Sequence, residues 1–355
     1  MNNRKGAGAL KQAEQRHTGR PVLFVLCLLA TIHIVTFYLV RVPSYLSLAR
    51  YEHGLERMPF QGRLLMMYPL RWAHHTAVLS AAAAWLTSTR MWIPHAVLPE
   101  DIAEFVIDVA AVAFAGCVAR ELYRARNPQG RLIDYVYPVF LVMVAGSYCL
   151  LSMNFIRYVY DLPSLGLFAA GLYFIYLKDH SGWFALVFLC ATLNRETSIF
   201  LLLFFLHNRC LHAQRFEWKR LGTPAVGGLA AALALFWVCF HLWLAHHFGA
   251  APADVKPGLM TNILLLLWPL AWPQLAAVGA YTLPLLLLLG RRQWLRSDPF
   301  PWMWVLPLWA ALMFAYGSIV EIRLFGEFLP LLASTAVLAA ERELLKSDSP
   351  GKVNA

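Results

Sequence analysis

Four polar stretches, each with at least one arginine and one acid, lie between or inside long apolar segments. One of them, NRETS at 194–198, interrupts a run that otherwise has the composition of a membrane helix. An ionised side chain at the centre of a bilayer costs about 3 kcal/mol or more, so such a group is a functional hypothesis by default. The four stretches supply Glu52, Glu56 and Arg63; Arg157 and Asp161; Arg195 and Glu196; and Glu321, Arg323 and Glu327.

These residue types suit the transfer of a sugar from a phosphate-linked lipid. A carboxylate can take the proton of the acceptor hydroxyl. Cationic groups stabilise the charge that builds up on the leaving phosphate. The planar fork of arginine matches phosphate oxygens. An apolar groove between helices would hold the lipid tail.

A purely structural role for the charges is the alternative interpretation. Neighbouring acids and arginines would then pair within each stretch, as Arg157 with Asp161, Arg195 with Glu196 and Arg323 with Glu321. Four such stretches on one membrane face favour function over structure.

The composition indicates a membrane protein. Of the 355 residues 59% are hydrophobic and only 14% are charged, and the mean hydropathy is +0.55. A soluble domain carries about 25% charged residues. The continuous apolar runs predict helices, because a β-barrel would show short alternating segments. The net charge of +10 comes from basic residues at the ends of apolar runs, which is typical of cytoplasmic anchoring, so nucleic acid is not a predicted partner.

The predicted fold is all-α: a polytopic transmembrane helix bundle with about eight full spans, short broken or re-entrant helices, and a long first extracytoplasmic loop with interfacial helices. The predicted domains are a basic cytoplasmic tail (1–20), a transmembrane domain (21–343) whose first outer loop is 42–102, and a flexible cytoplasmic tail (344–355). The predicted spans are 21–41, 103–122, 134–153, 161–178, 223–246, 274–290, 301–320 and 326–342.

Basic loops orient these spans and place both termini in the cytoplasm. A single crossing at 182–206 would put the basic loop 207–220 outside. We therefore expect a hairpin in which 183–193 rises, the chain breaks at 194–198, and 199–206 returns. Arg195 and Glu196 would lie at the tip of the hairpin, in a protein cavity. Four more acids lie at the outer end of the second span: Glu100, Asp101, Glu104 and Asp108.

With this arrangement the chain resembles the GT-C superfamily of integral-membrane glycosyltransferases, which use polyprenyl-phosphate sugars. The resemblance rests on a first span followed by a long acidic outer loop, on short broken helices in mid-chain, and on Arg-Glu-Thr at a helix break. Members usually place an adjacent acidic pair early in the first outer loop. Here Glu52 and Glu56 are four positions apart, and the adjacent pair Glu100-Asp101 comes only at the end of the loop.

The resemblance implies a hexosyltransferase whose general base is an acid of the first outer loop. The candidates are Glu52, Glu56 and Asp101, and Glu52 is preferred because it lies about ten residues beyond the first span. The implied substrate-binding residues are Arg63, Arg157, Asp161, Arg195, Glu196, Glu321, Arg323 and Glu327.

The implied partners are a polyprenyl-phosphate-linked sugar, a glycan, lipid or protein acceptor, and membrane lipids. The expected location is the bacterial inner membrane. No cofactor is predicted, and a divalent cation remains an open alternative. The six cysteines form no CxxC pair, and the histidine pairs at 74–75 and 246–247 have no third ligand in register. Neither feature indicates a metal site, and interface anchoring is the favoured interpretation of the histidines.

Two other functions remain open. A transporter or flippase of an anionic lipid or solute could also use broken helices and arginines. However, no internal repeat relates the chain halves, and the charges gather at one face. A non-catalytic membrane subunit of a polysaccharide assembly complex is the second.

Overall fold

The computed structural model describes residues 3–42, 44–89, 96–150, 156–212, 215–248, 258–289, 302–319 and 321–347. These residues are almost entirely helical, and a two-residue antiparallel pairing joins Leu211–His212 to Arg215–Phe216. The helices are α1 Asn3–Arg41, α2 Leu48–Glu52, α3 Met67–His74, α4 Ala77–Ser88, α5 Pro99–Arg126, α6 Val136–Val144, α7 Asp161–Leu172, α8 Ser181–Asn194, α9 Ile199–Cys210, α10 Leu229–His247, α11 Leu259–Leu267, α12 Trp272–Ala276, α13 Thr282–Leu289, α14 Trp302–Tyr316 and α15 Leu329–Ser347.

Wider or tighter helical turns extend several of these helices. π-Helical turns continue α6 and α7 and precede α10, at Ala145–Leu150, Tyr173–Leu177 and Pro224–Gly228. Short 3₁₀ segments are Phe60–Gly62, Leu64–Met66, Ile133–Tyr135, Glu196–Ser198, Trp218–Gly222, Pro269–Ala271 and Ile322–Phe328.

Five of the described helical segments are long and apolar enough to cross a membrane, by length and composition. They are Pro21–Arg41, Pro99–Arg126, Ile133–Leu150, Pro224–His247 and Ile322–Leu345. A sixth is reached if Leu259–Leu267 and Pro269–Ala276, which are bent by 95°, count as one span. The all-helical fold and its membrane-type helices are therefore confirmed.

The expected number of about eight full spans is not confirmed. The expected span 161–178 is a helix from Asp161 to Leu177, shorter than 18 residues. The expected span 274–290 is divided between α12 and α13, with left-handed backbone at Ala280 and Tyr281 between them.

Helix α5 begins where its sequence favours a helix start. Pro99 occupies the first turn, where its missing N–H costs nothing. The Asp101 carboxylate accepts a hydrogen bond of 2.9 Å from the backbone N–H of Leu98. The helix packs against α1, α3, α6, α7 and α15. Gly166 of α7 permits close packing of α7 on α5, because a Cβ there would lie 2.7 Å from the Cβ of Ala111.

The predicted helix break at 194–198 is confirmed. Helix α8 ends at Asn194, Arg195 has extended backbone (φ −163°, ψ 143°), and a 3₁₀ turn leads into α9. The ring of Phe184, near the start of α8, stacks on that of Phe205, near the end of α9, with centroids 4.7 Å apart. The two helices therefore run antiparallel, as in the expected hairpin. The membrane side to which its tip points stays a prediction.

The first loop folds into the short helices α2, α3 and α4. Tyr68, Trp72, Val78 and Trp85 on α3 and α4 are exposed, as expected of helices that lie at a membrane interface, although their position in a membrane stays a prediction. At the chain ends, α1 already begins at Asn3, within the predicted 1–20 tail. Helix α15 continues to Ser347, so 344–347 are helical, and 348–355 lie outside the described residues.

Candidate functional site

Four buried arginines gather at one end of the bundle, each with at least one acid beside it. They come from the first loop, from the segment before α7, from the α8–α9 break and from the 3₁₀ turn before α15. Their residues are 2–8% exposed: Arg63, Arg157, Arg195 and Arg323. Because a buried charge is costly unless it is paired, the partners of these arginines determine what the site can do.

Arg195 reaches two carboxylates on neighbouring helices. Its Nη1 lies 3.5 Å from Oδ1 of Asp161 and 3.4 Å from Oε1 of Glu327. The Glu327 carboxylate also accepts hydrogen bonds from the hydroxyls of Ser164 and, at 2.9 Å, Thr197. The extended backbone at Arg195 turns its side chain towards α7 and the start of α15, where both acids lie.

Arg323 binds the other side of the Asp161 carboxylate. Its Nη1 lies 3.7 Å from Asp161 Oδ2 and donates a 2.7 Å hydrogen bond to the carbonyl of Ile156. Its Nη2 donates to Glu321 at 3.2 Å, and its guanidinium lies over the Tyr158 ring, 4.2 Å from the centroid. Asp161 is therefore held between two arginines.

Arg157 pairs with the acidic face of α5. Its Nη1 donates to Glu104 Oε1 at 2.6 Å, and its Nη2 lies 3.6 Å from Asp101 Oδ1. Glu100, Glu104 and Asp108 follow one another at four-residue intervals and share this helix face. Asp108 is 1% exposed, and neither of its oxygens has a hydrogen-bond partner in the described part of the chain.

Arg63 forms a bidentate ion pair with Glu196. Its Nε and Nη2 donate to the two carboxylate oxygens of Glu196 at 3.3 and 2.9 Å, and its guanidinium stacks on the Tyr160 ring at 4.2 Å. Burial acts to raise the pKa of Glu196, but the charge and hydrogen bonds of Arg63 outweigh it and lower this pKa to about 2. The carboxylate is therefore an anion at neutral pH.

Most of the pairing expected of a purely structural role is wrong. Arg157 pairs with Glu104 instead of Asp161, and Arg195 pairs with Asp161 and Glu327 instead of Glu196; only Arg323 with Glu321 is confirmed. In an extended chain successive side chains point to opposite sides. The extended backbone at the α8–α9 break therefore directs Arg195 and Glu196 to different partners.

One segment joins the three groups of charges. Residues 156–161 contribute Arg157 to the pair with Glu104, the Tyr160 ring to the Arg63 stack, and Asp161 to the Arg195–Arg323 group. The Asn194 amide donates to the carbonyl of Tyr160 at 3.1 Å. This hydrogen bond joins the end of α8, where the helix breaks, directly to segment 156–161.

Glu52, the preferred catalytic base, lies in a separate cluster of the first loop. Its Oε2 is 3.9 Å from Nδ1 of His74, and the same nitrogen is 2.5 Å from Oε1 of Glu100. Burial, and after it the charge of Glu100, raise the pKa of Glu52. The hydrogen bond to Glu100 raises the pKa of His74. The interpretation of His74 as an interface anchor overlooked both contacts.

Glu56 has a different environment from Glu52. Its carboxylate accepts hydrogen bonds from the backbone N–H groups of Ser47 and Arg57, at 3.1 and 3.0 Å. The side-chain oxygen of Gln61 accepts from the N–H of Glu56 at 2.9 Å. These contacts hold the loop backbone around Glu56, and its catalytic role stays a prediction.

The structure thus brings most of the predicted site residues into adjoining ion pairs. Glu52 and Glu56 lie outside these pairs. Sequence reasoning did not include Glu104, Tyr38 or His74 among the site residues, although the hydroxyl of Tyr38 donates to Asp161 at 3.3 Å. The four-residue spacing of acids on α5 was the available signal for Glu104. No comparable signal marks the tyrosine.

An apolar cavity of about 560 Å³ lies between the first loop, α5 and α7. Its lining includes Leu65, two positions after Arg63, and Pro163, two positions after Asp161. The remaining lining residues are Met66, Tyr68, Pro69, Ile107, Ala110, Ala111, Phe114, Gly166 and Leu167. A long hydrocarbon chain is the ligand type that such a lining suits.

Comparison of the chain with protein-family models, with curated proteins and with solved structures found no match.

Proposed function

We propose that this chain is a membrane glycosyltransferase that moves a sugar from a polyprenyl-phosphate donor to an acceptor on the extracytoplasmic face. The observation that carries the proposal is the buried arginine group beside the apolar cavity. Arginines suit the phosphate of the donor, and the cavity suits its hydrocarbon tail. In the first loop, Arg63 lies two positions before the cavity residue Leu65. In α7, Asp161, which Arg195 contacts, lies two positions before the cavity residue Pro163.

The arginines would act on the leaving phosphate. In the transfer, the acceptor oxygen bonds to the anomeric carbon of the sugar, and the bond from that carbon to the phosphate oxygen breaks. Negative charge then develops on the polyprenyl phosphate, and Arg195 and Arg323 would stabilise it. Asp161, held between these two arginines, keeps them oriented before the donor binds.

A carboxylate would take the proton from the acceptor hydroxyl. Glu52 remains the candidate base, because it is an acid of the first loop whose pKa is raised above its ordinary value, first by burial and then by the charge of Glu100, and a higher pKa makes a stronger base. Asp101, next to Glu100 and 3.6 Å from Arg157, links the Glu52 cluster to the arginine group. A base in the first loop would therefore be joined to the phosphate-binding groups through the first turn of α5.

Transport of an anionic lipid or solute is the second candidate. Asp108 favours it, because a fully buried carboxylate with no hydrogen-bond partner among the described residues is typical of groups that bind protons or cations in carriers. The two functions differ in product: a transferase consumes the lipid-phosphate sugar, whereas a carrier moves its substrate across the membrane unchanged.

The test uses purified protein in nanodiscs with a radiolabelled polyprenyl-phosphate hexose and a mixture of glycan and lipid acceptors. We expect release of polyprenyl phosphate with transfer of label. Glu52→Gln should lower the rate about 10²- to 10⁴-fold. Glu121→Gln, at an exposed pair with Arg124, is the matched control and should leave the rate unchanged. If the donor stays intact in nanodiscs and crosses the bilayer of proteoliposomes, the transferase proposal is wrong and the chain is a transporter.

A further inference from the structure

We infer that Glu52, His74 and Glu100 form a binding site for one divalent transition-metal ion, with Zn²⁺ as the best-suited ion. One possible ligand atom from each residue lies within 4.8 Å of the other two. Among the residues that the structure describes, this is the one group of three or more such side chains with that spacing. The three residues end α2, end α3 and begin α5, so three separate segments converge on the site.

Two unpartnered carboxylate oxygens support this assignment. Glu52 and Glu100 are 4 and 5% exposed, and Oε1 of Glu52 and Oε2 of Glu100 lack any hydrogen-bond partner in the described chain. Buried carboxylate oxygens normally have partners. These two buried oxygens therefore have unused lone pairs, which a bound cation would satisfy.

The donor set identifies the class of ion. Zn²⁺ binds one to three imidazole nitrogens together with carboxylate oxygens at about 2.0–2.2 Å, whereas Mg²⁺ and Ca²⁺ prefer oxygen alone. The contact of 2.5 Å between His74 Nδ1 and Glu100 Oε1 would widen to about 3.3 Å, the separation of two tetrahedral ligands at these bond lengths. His74 is half-exposed, so its side chain can move by this amount.

The expected site is open on one side. Three protein ligands leave the fourth position of a tetrahedral ion for water or a substrate oxygen, as in catalytic zinc sites. The exposed His74 marks the side from which such a ligand can enter, because the two carboxylates close the opposite side. The inference stands on these three residues and does not depend on glycosyl transfer.

The experiment measures metal content and binding in the full-length chain, purified through a tag without histidine and dialysed against EDTA. After incubation with equimolar Zn²⁺ and gel filtration, mass spectrometry of the metal should give one ion per chain. X-ray absorption at the zinc edge should give one nitrogen and two carboxylate ligands at about 2.0 Å. No bound ion, or an ion whose ligands are mainly sulfur or several imidazoles, would overturn the inference.

Variants locate the ion. His74→Ala and Glu100→Gln should each weaken Zn²⁺ binding by roughly 100-fold or more, since loss of a supporting residue alone typically costs 10- to 100-fold. His75→Ala is the matched control, because His75 is the adjacent histidine and lies outside the group, and it should bind as the wild type does. Equal binding by His74→Ala and the wild type would overturn the inference. If a variant is unstable, Zn²⁺ should still raise the thermal midpoint of His75→Ala and of the wild type by the same amount.

Metal content also separates this inference from the transferase proposal. If Glu52→Gln lacks activity and retains Zn²⁺, Glu52 acts as a base and the three-residue site is wrong. If Glu52→Gln loses both, the residue is a metal ligand, and the proton acceptor is another carboxylate. A chain that binds Zn²⁺ as expected and transfers no sugar would support the site and reject the transferase.

Discussion

Arg63 and Glu196 form a two-hydrogen-bond ion pair although 133 positions separate them in the chain. The pair attaches the first loop to the tip of the α8–α9 hairpin. The indole of Trp237 in α10 also donates a 3.0 Å hydrogen bond to the backbone carbonyl of Glu196. Three parts of the chain therefore meet at this residue, and the first loop cannot move away without breaking the pair.

Acid should weaken this attachment in a defined pH range. The pKa of Glu196 is about 2 in the folded chain and about 4.3 when unfolded. A lowered pKa adds stability that is present above the unfolded value and is lost as pH falls towards the folded one. The thermal midpoint of the wild type should exceed that of Glu196→Gln at pH 6, and the difference should shrink between pH 4.5 and 3. A constant difference over this range would contradict the assignment. The partial exposure of the Glu196 side chain limits the size of the effect.

Removal of Arg195 should destabilise the fold and abolish donor binding. Arg195→Ala leaves the fully buried Asp161 and Glu327 without this cation, which should cost about 3–5 kcal/mol in the free energy of unfolding. Arg195→Lys keeps the charge and loses the planar fork, so it should weaken donor binding more than stability. Arg124→Ala removes the arginine of an exposed pair and should cost less than about 1 kcal/mol. Unfolding in mixed micelles and donor binding give the two measurements.

A double variant distinguishes binding from structural pairing. In Arg195→Ala, Asp161 still faces Arg323, whereas Glu327 loses its arginine. Adding Glu327→Gln removes that unpaired charge, so stability should recover in part. The amide can still accept the hydrogen bonds of Ser164 and Thr197. Donor binding should not recover, because Arg195, the proposed binding group for the donor phosphate, is still missing. Full recovery of donor binding would reduce Arg195 to a structural residue.

Filling the apolar cavity should discriminate between donors by chain length. Ala110 lines the cavity, and Ala110→Trp would displace two or three methylenes of the tail, at about 0.8 kcal/mol each. The KM for a long-chain donor should rise roughly 30-fold, and that for a water-soluble short-chain analogue should stay the same. Val106→Trp changes an exposed residue of the same helix outside the cavity and should affect neither donor. Equal effects of the two tryptophans would show that the tail binds elsewhere.

Cysteine labelling tests the orientation of the chain. In a variant without the six native cysteines, Leu55→Cys should react with an impermeant maleimide in intact cells, because Leu55 is exposed and the first loop is predicted to be outside. Lys219→Cys, also exposed, should react only after the membrane is permeabilised. Labelling of Lys219→Cys in intact cells would overturn the hairpin orientation. Tyr158 lies on the predicted outer side too, but it is buried and makes a poor probe.

The local chemistry of the sequence predicted the break well and the charge pairing poorly. Asn, Arg, Glu, Thr and Ser inside an apolar run disfavour a continuous membrane helix, so the position of the break could be read directly. The partners of Arg195 depend instead on how α7 and α15 pack against the hairpin, which no short-range pattern encodes. The same holds for Arg63, whose partner lies in another third of the chain. Proximity in sequence therefore favoured the wrong acids.

The predicted number of about eight spans is not confirmed, for a related reason. Apolar composition over 274–290 predicts a crossing, but α12 ends at Ala276 and the left-handed residues Ala280 and Tyr281 separate it from α13. His74 and Glu100 are 26 positions apart, and only the folding of α3 and α4 brings them together. The helical segments could be predicted from composition. The lengths of the helices and the contacts between distant side chains depend on the folded chain and could not.

The segment 156–161 connects all three arginine–acid groups of the site. Its backbone or side chains contact each of these groups, so a displacement of the segment at one group would also change its contacts with the others. A phosphate that drew Arg157 from Glu104 would also alter the carbonyl bound by Arg323 and the ring beneath Arg63. Binding of the proposed donor phosphate and the position of the first loop would then be coupled through this one segment, in addition to any contact that the loop itself makes with the donor.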